Sequence, residues 1–337
     1  MKLVIDAFGG DNAPGAVIEG VCRALESWDD FDVILTGDEE KIKAELEKYP
    51  HDGKRVSIVH APDVIGCDEQ PTVAVKRKKD SSIVAAMNIM ASPEADCLIS
   101  AGSTGAVLTG ATLIVRRIPG VKRPALAPVM PTPSKPFLLL DCGANADCKP
   151  EYLRQFAVMS SAYMQGVMGI PSPAVALVNN GEEAAKGSEL SKAAYALLTE
   201  TPVDFKGNCE AREIFSGDYD VIVTDGFTGN VILKEAEGLA DALFKMLKAG
   251  LLSSFRTKVG AALAKPAFKK VKKTMDYTEY GGAPLLGING GIIKAHGSSD
   301  AKAFVSAIKQ ARLYVQGEVT EKIARGIAAI ETEKTDD

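Results

Sequence analysis

Apolar and polar positions follow two alternating periods along this chain, starting at its first residues. Apolar runs of four to six residues, typical of buried strands, lie at 2–6, 33–36 and 56–61. Between them, apolar residues recur every three or four positions and predict helices near 14–28 and 39–49. This alternation of strand and helix predicts an α/β fold with a wound, Rossmann-like sheet.

Further apolar runs extend the pattern, and each precedes a polar, mostly glycine-containing loop. They lie at 97–100, 137–140, 175–178, 221–224 and 291–295. Ser299 and Asp300 are predicted to cap a last helix whose apolar face runs from Phe304 to Ile323. The chain is long enough for one large globular unit or two closely packed lobes, and no repeat or low-complexity linker interrupts it. We predict an α/β domain over 1–330 and a polar tail over 331–337.

Composition narrows the class of protein. The 337 residues are 46% hydrophobic and 25% charged, which predicts a folded chain. The six cysteines form no C-x-x-C pair, so we expect a reducing, cytoplasmic compartment. No apolar run approaches the roughly 18 residues of a spanning helix, so any membrane contact is expected to be peripheral. We expect no nucleic-acid partner, no cofactor and no metal site.

Positive charge is concentrated in one segment, residues 242–275, which we call the basic strip. It holds nine of the 39 Lys and Arg and no Asp or Glu. The rest of the chain has 30 Lys and Arg and 44 Asp and Glu, so its formal net charge is −14. Its cations are Lys245, Lys248, Arg256, Lys258, Lys265, Lys269, Lys270, Lys272 and Lys273. A segregated positive segment predicts an anionic partner.

Apolar residues recur within the basic strip at about one helical turn. This apolar ridge consists of Leu251, Leu252, Phe255, Val259 and Leu263. Gly250, Gly260 and Pro266 interrupt the pattern and so favour a projecting helical hairpin over 240–275. A basic surface with an apolar ridge suits a membrane surface or an acidic protein, while a helix packed on the core or on another subunit is the structural alternative.

Loops after the predicted strands carry the candidate chemistry, because ligands of open α/β sheets bind at the carboxyl ends of strands. Five glycine-containing loops, at 6–14, 100–106, 141–145, 225–230 and 294–299, offer amide and hydroxyl donors suited to an anion. None has the G-x-x-x-x-G-K-[ST] pattern, and the first lacks the G-x-G-x-x-G spacing of a dinucleotide site.

Six ordered motifs resemble one known family, the bacterial phosphate acyltransferases. The motifs are D-A-F-G-G-D-N-A-P, S-A-G-S-T-G-A, L-D-C-G-A-N, N-N-G-E-E-A-A-K-G, D-G-F-T-G-N and K-A-H-G-S-S. The resemblance runs from Leu3 to about Ile327, with Phe8 where the family usually has Met and Ser103 where it usually has Asn. These enzymes convert acyl-[acyl-carrier-protein] and inorganic phosphate into acyl-phosphate for phospholipid synthesis.

The resemblance implies a fold similar to the isocitrate and isopropylmalate dehydrogenases and a homodimer. It also implies a helical projection at the basic strip and peripheral association with the inner face of the membrane. The implied partners are acyl carrier protein and inorganic phosphate, with a downstream membrane acyltransferase as a further candidate.

The reaction is attack of a phosphate oxygen on a thioester carbonyl, and it requires positioned donors and cations rather than a strong base. We therefore predict direct attack, without a covalent acyl-enzyme. The predicted catalytic residues are Lys186, Asn230, Lys294 and His296. The predicted phosphate and substrate contacts are Gly9, Gly10, Asp11, Gly102, Ser103, Thr104, Gly105, Asn145, Asp225, Gly229, Lys234 and Ser298.

Two other functions compete with this one. A nicotinamide-dependent decarboxylating dehydrogenase would need substrate-binding arginines, which the loops lack, and a convergent aspartate set for a divalent metal. The aspartates available for that set are Asp6, Asp11, Asp141 and Asp225. A non-catalytic membrane scaffold leaves the glycine loops unexplained.

A second run of cations, at 76–79, is by default a solvated charge run. A similar basic stretch before D-S-S is typical of the family that the chain resembles, and this resemblance implies that Arg77 and Lys79 guide phosphate or the carrier protein.

Overall fold

The computed structural model describes residues 1–274 and 280–332 and shows two sheets flanked by helices. The first sheet contains β1 (Lys2–Asp6), β2 (Asp32–Gly37), β3 (Val56–His60), β4 (Cys97–Ser100), β5 (Ala125–Leu126), β11 (Ala283–Leu286) and β12 (Gly291–Lys294). Its strand order is β3-β2-β1-β4-β12-β11-β5. β11 runs antiparallel to both β12 and β5, and the other neighbouring pairs are parallel.

The second sheet contains β6 (Val129–Met130), β7 (Phe137–Leu140), β8 (Ala174–Asn179), β9 (Asp204–Glu210) and β10 (Val221–Val223). Its order is β6-β7-β10-β8-β9, with β6 antiparallel to β7. The predicted α/β class is therefore confirmed, with mostly parallel strands in two sheets, and the runs at 97–100 and 137–140 coincide with β4 and β7.

Helices cover both faces of the sheets. They are α1 (Gly15–Ser27), α2 (Glu39–Leu46), α3 (Pro71–Arg77), α4 (Ser82–Met90), α5 (Thr104–Gly110), α6 (Pro150–Val167), α7 (Glu189–Thr199), α8 (Gly226–Leu251), α9 (Phe255–Thr274), α10 (Ala301–Gln316) and α11 (Val319–Thr332). Leu3 and Ile5 of β1 pack with α1 and α10, whereas Val4 packs with α4 on the other face. Burial on both faces explains the uninterrupted apolar runs of these strands.

The predicted last helix is two helices in the structure. α10 ends at Gln316, and Glu318 takes a left-handed φ of 49° before α11 begins. Asp300 caps α10 by accepting the N–H of Ala303 at 2.9 Å, while the Ser299 carbonyl accepts from Asn12 instead. The cap is therefore Asp300 alone.

The predicted polar tail, 331–337, begins before the last helix of the structure ends. α11 continues to Thr332, and Glu331 pairs with Lys122 at 3.3 Å, whereas 333–337 lie outside the described residues.

Two consecutive helices occupy the segment of the predicted hairpin, but its first arm is longer than predicted. α8 begins at Gly226 rather than near 240, and its 26 residues span about 39 Å. A short connection at 252–254 joins the two helices, and Gly260 and Pro266 lie inside α9 rather than breaking it. Residue 275, the last of the predicted hairpin, lies outside the described residues.

The apolar ridge is largely exposed. Phe255 is 82% exposed, Leu263 80%, Leu252 50% and Val259 47%, whereas Leu251 is half-buried. Within the described ranges, no helix has the length and apolar character needed to cross a bilayer.

Candidate active site

Three of the predicted loops meet at the carboxyl ends of β1, β4 and β12. The Asp11 amide donates to the Gly297 carbonyl at 2.8 Å, and the Asn12 amide nitrogen donates to the Ser298 carbonyl at 3.1 Å. A side chain at Gly9 would place its Cβ 2.6 Å from the Gly102 nitrogen, so only glycine permits this approach. The loops at 6–14, 100–106 and 294–299 therefore form one structural unit.

The buried carboxylate of Asp6 connects two of these loops by hydrogen bonds. Its Oδ2 accepts the Ser100 hydroxyl at 2.7 Å, and the Ser100 oxygen accepts the Gly102 N–H at 3.0 Å. Burial raises the pKa of Asp6, while hydrogen bonds from Ser82 and Ser100 oppose the rise. From the sequence, Asp6 was considered only as a possible metal ligand of the dehydrogenase alternative, and its role in holding the loops together was missed. Its position at the end of a strand could have indicated that role.

Asp141 has the equivalent role in the second sheet. Its carboxylate accepts the Leu126 N–H at 2.9 Å, the Asn145 N–H at 2.7 Å and the Asn145 amide group at 2.9 Å. The Asn145 amide also donates to the Pro124 carbonyl at 2.8 Å. Both hydrogens of the Asn145 side chain are therefore used within the protein, although this residue was predicted to contact phosphate.

The first turn of α8 packs directly on the Asp141 loop. The Gly226 amide donates to the Asn145 carbonyl at 2.8 Å. Asp225 caps the helix, because its carboxylate accepts the backbone N–H and the hydroxyl of Thr228, each at 2.8 Å. Asp225 was predicted to contact substrate, and the structure places its carboxylate in this cap.

Gly229 supplies close packing rather than a phosphate contact. A Cβ there would lie 1.9 Å from the Asp141 carbonyl oxygen. Gly229→Ala is therefore expected to lower the free energy of unfolding by about 1–3 kcal/mol, measured by urea denaturation. The control Gly238→Ala, in the same helix with no atom within 4 Å, is expected to raise it by up to about 1 kcal/mol. Equal effects of the two changes would contradict this packing role.

A cavity of about 310 Å³, the central cavity, lies between the carboxyl ends of β7 and β12 and the second and third turns of α8. Its polar lining is Thr104, Asn230, Lys234, Glu237, Lys294 and His296. Its apolar lining includes Leu126, Pro128, Val129, Met130 and Leu233. The cavity thus combines cationic and amide groups with apolar walls, which is the usual composition of a site for an amphiphilic ligand.

Lys294 is the most unusual group in the central cavity. It is only 8% exposed, and its ammonium donates to the Ala295 carbonyl, with no carboxylate within 4.0 Å among the described residues. Burial lowers its pKa to about 8, and the negative groups of Asp6 and Asp11 partly oppose that shift. An ammonium has three donors, so Lys294 can donate to a bound anion.

His296 is oriented by its own loop. Its Nδ1 accepts the Ser298 backbone N–H at 3.2 Å and lies 2.8 Å from the Ser298 hydroxyl. Because a backbone N–H can only donate, Nδ1 is the acceptor and the neutral ring carries its proton on Nε2. Ser298, predicted to bind substrate, thus fixes the tautomer of His296.

Two further predicted residues, Asn230 and Lys234, lie on the α8 side of the central cavity. The Asn230 side chain faces Gly143, where an added Cβ would lie 3.7 Å from it. The Lys234 ammonium pairs with Glu237 at 2.8 Å, so its charge is partly compensated.

The predicted glycine contacts lie beside the central cavity rather than in it. A pocket of about 270 Å³ is lined by Gly9, Gly10, Asp11, Gly102 and Ser103, together with Asp6 and Ser82. Gly105 packs on Pro71 instead, since its Cβ would lie 2.4 Å from the proline ring.

Lys186 is not brought into the central cavity. It is exposed, on a loop held by a bond from Asn179 to the Lys186 carbonyl at 3.1 Å and one from Asn208 to the Glu183 carbonyl at 3.0 Å. That loop borders a third pocket, of about 590 Å³, at the carboxyl ends of β8 and β10. In the part of the chain that the structure describes, no group of three or more His, Cys, Asp or Glu is arranged to hold a metal ion.

Comparison with known proteins assigns the family. A family model described as "Fatty acid synthesis protein" matches residues 1–322. A phosphate acyltransferase of Clostridium novyi is 50% identical over 323 residues, covering 96% of this chain and 97% of that protein. One from Clostridium acetobutylicum is 50% identical over 325 residues, with 96% and 98% covered. The chain belongs to the phosphate acyltransferase family.

Solved structures agree with the fold. A phosphotransacetylase of Staphylococcus aureus superposes with a TM-score of 0.62 at 17% identity, covering 94% of both chains. One from Streptococcus pyogenes gives 0.60 at 17% identity, covering 95% of this chain and 94% of the other. At such identity the likeness shows a shared α/β fold alone, while the membership of the family makes this chain an acyltransferase and disfavours the dehydrogenase alternative.

In a phosphate acyltransferase, Cys142 is the obvious rival nucleophile, because it lines the central cavity. The environment of its thiol disfavours that role. Sγ is buried and donates to the carbonyls of Leu139 at 3.6 Å and Gly229 at 3.7 Å. Burial, together with the charge of Asp141, raises the pKa of Cys142 well above its usual value, so the reactive thiolate is disfavoured.

Cys142→Ala is expected to keep most of the activity, within about threefold of the unmodified enzyme, because no thiolate is required for direct attack. The measurement is steady-state formation of acyl-phosphate, with circular dichroism as the control for folding. A folded but inactive variant, or an acylated Cys142 isolated during turnover, would overturn this prediction.

Proposed function

We propose that this acyltransferase moves a fatty acyl group from acyl-[acyl-carrier-protein] to inorganic phosphate and so makes acyl-phosphate for phospholipid synthesis. The observation that carries the proposal is the buried Lys294 ammonium, which lines the same cavity as His296 and as the apolar residues Leu126, Pro128, Val129, Met130 and Leu233. The cations and amides suit the phosphate and the thioester carbonyl, and the apolar walls suit the acyl chain.

The proposed reaction is a direct displacement. A phosphate oxygen forms a bond to the thioester carbonyl carbon, and the carbon–sulfur bond breaks as the thiolate leaves. Lys294 and Asn230 stabilise the negative charge that develops on the carbonyl oxygen and on phosphate. A thiol with a pKa of about 8.5 is a good leaving group and departs as the thiolate, so the His296 Nε2–H needs only to donate a hydrogen bond to the departing sulfur.

The remaining predicted contacts keep narrower roles in this proposal. The amides of the loops at 6–14 and 100–106 and the Thr104 hydroxyl hold phosphate, and Lys234 adds positive charge at the rim of the cavity. For Lys186 the support is its place in the motif N-N-G-E-E-A-A-K-G beside the third pocket, where it would contact the substrate from outside the central cavity.

We further propose that the protein is a cytoplasmic homodimer that associates peripherally with the inner face of the membrane. Leu239, Leu243 and Met246 recur along one side of α8 and are 47–60% exposed, which suits a second copy of the chain. A fold similar to the isocitrate and isopropylmalate dehydrogenases, and contact with a downstream membrane acyltransferase, belong to the same proposal.

The membrane contact is supported by the direction of the ridge. On α9, the half-buried residues Ala261, Ala264 and Phe268 lie on the face opposite Phe255 and Val259. The apolar ridge therefore points away from the packed side of the helix. None of the cations from Arg256 to Lys270 pairs with a carboxylate among the described residues. An outward apolar ridge with unpaired cations is typical of an interfacial helix.

The test is an assay with acyl carrier protein thioester and phosphate, in which hydroxylamine traps acyl-phosphate as the hydroxamate. We expect hydroxamate above the background of the uncatalysed reaction only when enzyme and phosphate are both present. The control without phosphate measures direct reaction of hydroxylamine with the thioester. Hydroxamate at the level of that control, with reduction of a nicotinamide cofactor by a diacid substrate, would contradict the proposal and favour the dehydrogenase.

A further inference from the structure

A second basic surface lies at the end of α3 and has no part in the proposed chemistry. We call its three exposed cations, Lys76, Arg77 and Lys79, the α3 cluster. No carboxylate of the described residues lies within 4.0 Å of them. The residue between them differs, because the Lys78 ammonium binds Glu69 at 2.7 Å and the Val64 carbonyl at 2.9 Å. One cation of the run is thus used internally, and three are presented to the outside.

The backbone that carries the α3 cluster is fixed by hydrogen bonds. The Ser81 hydroxyl donates to the Lys78 carbonyl at 2.8 Å, and the Ser82 N–H donates to the Asp63 carbonyl at 2.9 Å. Cations at a helix C-terminus interact favourably with the helix dipole by about 0.3–1 kcal/mol each, which is the structural alternative. That alternative accounts for the position of the charges, but not for three unpaired cations on an acidic protein.

The α3 cluster is adjacent to the reaction loops. Ser82 and Ile83, which follow Lys79 after Asp80 and Ser81, line the pocket of about 270 Å³ that also contains Gly9 and Gly102. At the other end of α3, Pro71 packs on Gly105, next to Thr104 of the central cavity. A protein bound to the α3 cluster would therefore stand at the edge of the site.

We infer that the α3 cluster is the docking surface for the acidic carrier protein, and that the basic strip with its apolar ridge contacts lipid. This inference rests on the proposed function. The chain has a formal net charge of −5, so its surface repels an acidic protein except where cations are segregated. The hairpin combines cations with an apolar ridge, which favours lipid. The α3 cluster has cations without such a ridge, which favours a soluble anionic protein bound by charge complementarity.

The test compares two donors, acyl carrier protein thioester and acyl-pantetheine, which has the same arm without the acidic protein. In the triple variant Lys76→Glu, Arg77→Glu and Lys79→Glu, the KM for the carrier-protein donor is expected to rise by about 10-fold or more. The kinetic constants for acyl-pantetheine and the KM for phosphate are expected to stay constant. The charge-conserving triple variant Lys76→Arg, Arg77→Lys and Lys79→Arg is the matched control and should resemble the unmodified enzyme.

A parallel variant, Lys265→Glu, Lys269→Glu and Lys270→Glu, reverses three charges on α9. It is expected to weaken binding to vesicles of anionic phospholipid while leaving the KM for the carrier-protein donor constant. Direct titration of carrier protein onto each variant, without turnover, keeps the docking test separate from the proposed function. Unchanged affinity of the α3 variant, a loss of affinity only in the α9 variant, or a rise in the KM for phosphate alone would overturn the inference.

Discussion

Replacing Lys294 with methionine is expected to lower kcat/KM for acyl-phosphate formation by about 100-fold or more. Removal of a single preorganised donor from an oxyanion site typically costs that much, and Lys294 is nearly fully buried in the central cavity. Methionine has a similar length and no charge, so the fold is expected to persist. Lys309→Met, at an exposed position of α10, is the control and should have normal activity. Normal activity of Lys294→Met would remove Lys294 from the site.

The same residue predicts a pH dependence. Burial lowers the pKa of Lys294 to about 8, so the ammonium loses its proton as the pH rises through this value. If the charged form is required, kcat/KM falls on the alkaline side with a midpoint near 8. The guanidinium of Lys294→Arg stays charged, so this variant is expected to have lower activity without the alkaline fall. An alkaline fall of equal midpoint in Lys294→Arg would assign the titration to another group.

The second large effect concerns the tip of the hairpin. Leu252→Glu with Phe255→Glu is expected to release the protein from anionic liposomes. Each buried apolar side chain contributes roughly 1.5–3 kcal/mol, so loss of both lowers the partition coefficient by about 10² to 10⁴. The measurement is flotation with liposomes at low and at high salt, because salt weakens the electrostatic part of binding.

Acyl-phosphate synthesis in solution is the control for folding of this variant and should be largely retained, since the tip is at the far end of α8 from Asn230. Binding that neither the two substitutions nor high salt alters would show that the ridge is covered by protein instead.

Sequence patterns revealed the central strands because both faces of these strands are buried. β4 and β7, for example, are fully buried and read as continuous apolar runs. The short strands β5 and β6 were missed, since two residues have no periodicity. β9 was missed because Asp204, Lys206 and Glu210 interrupt its apolar character at the edge of the sheet.

The grouping of the reaction loops was also predictable, because the carboxyl ends of parallel strands lie at one edge. The hydrogen-bond partners and positions of individual side chains were not predictable from the sequence. Asn145 and Asp225 have the same residue types as ligand contacts, yet their hydrogen bonds stay within their own loops. Lys186 lies on a motif of equal quality but projects outside the central cavity. Such differences depend on packing between distant segments.

The start of α8 was missed for a local reason. Gly226 and Gly229 resemble a loop, whereas the structure uses them where the helix meets the Asp141 loop too closely for a Cβ. The capping pattern of Asp225 and Thr228 was the available signal.

The central claim, direct attack of phosphate on the thioester, is tested most directly by isotope exchange without phosphate. The enzyme is mixed with acyl-[acyl-carrier-protein] and labelled free carrier protein, and transfer of the acyl group to the labelled carrier is measured. A covalent acyl-enzyme would catalyse this exchange, because the acyl group leaves the carrier before phosphate binds. We predict no exchange until phosphate is added, and then exchange through acyl-phosphate. Rapid exchange in the complete absence of phosphate would contradict the account.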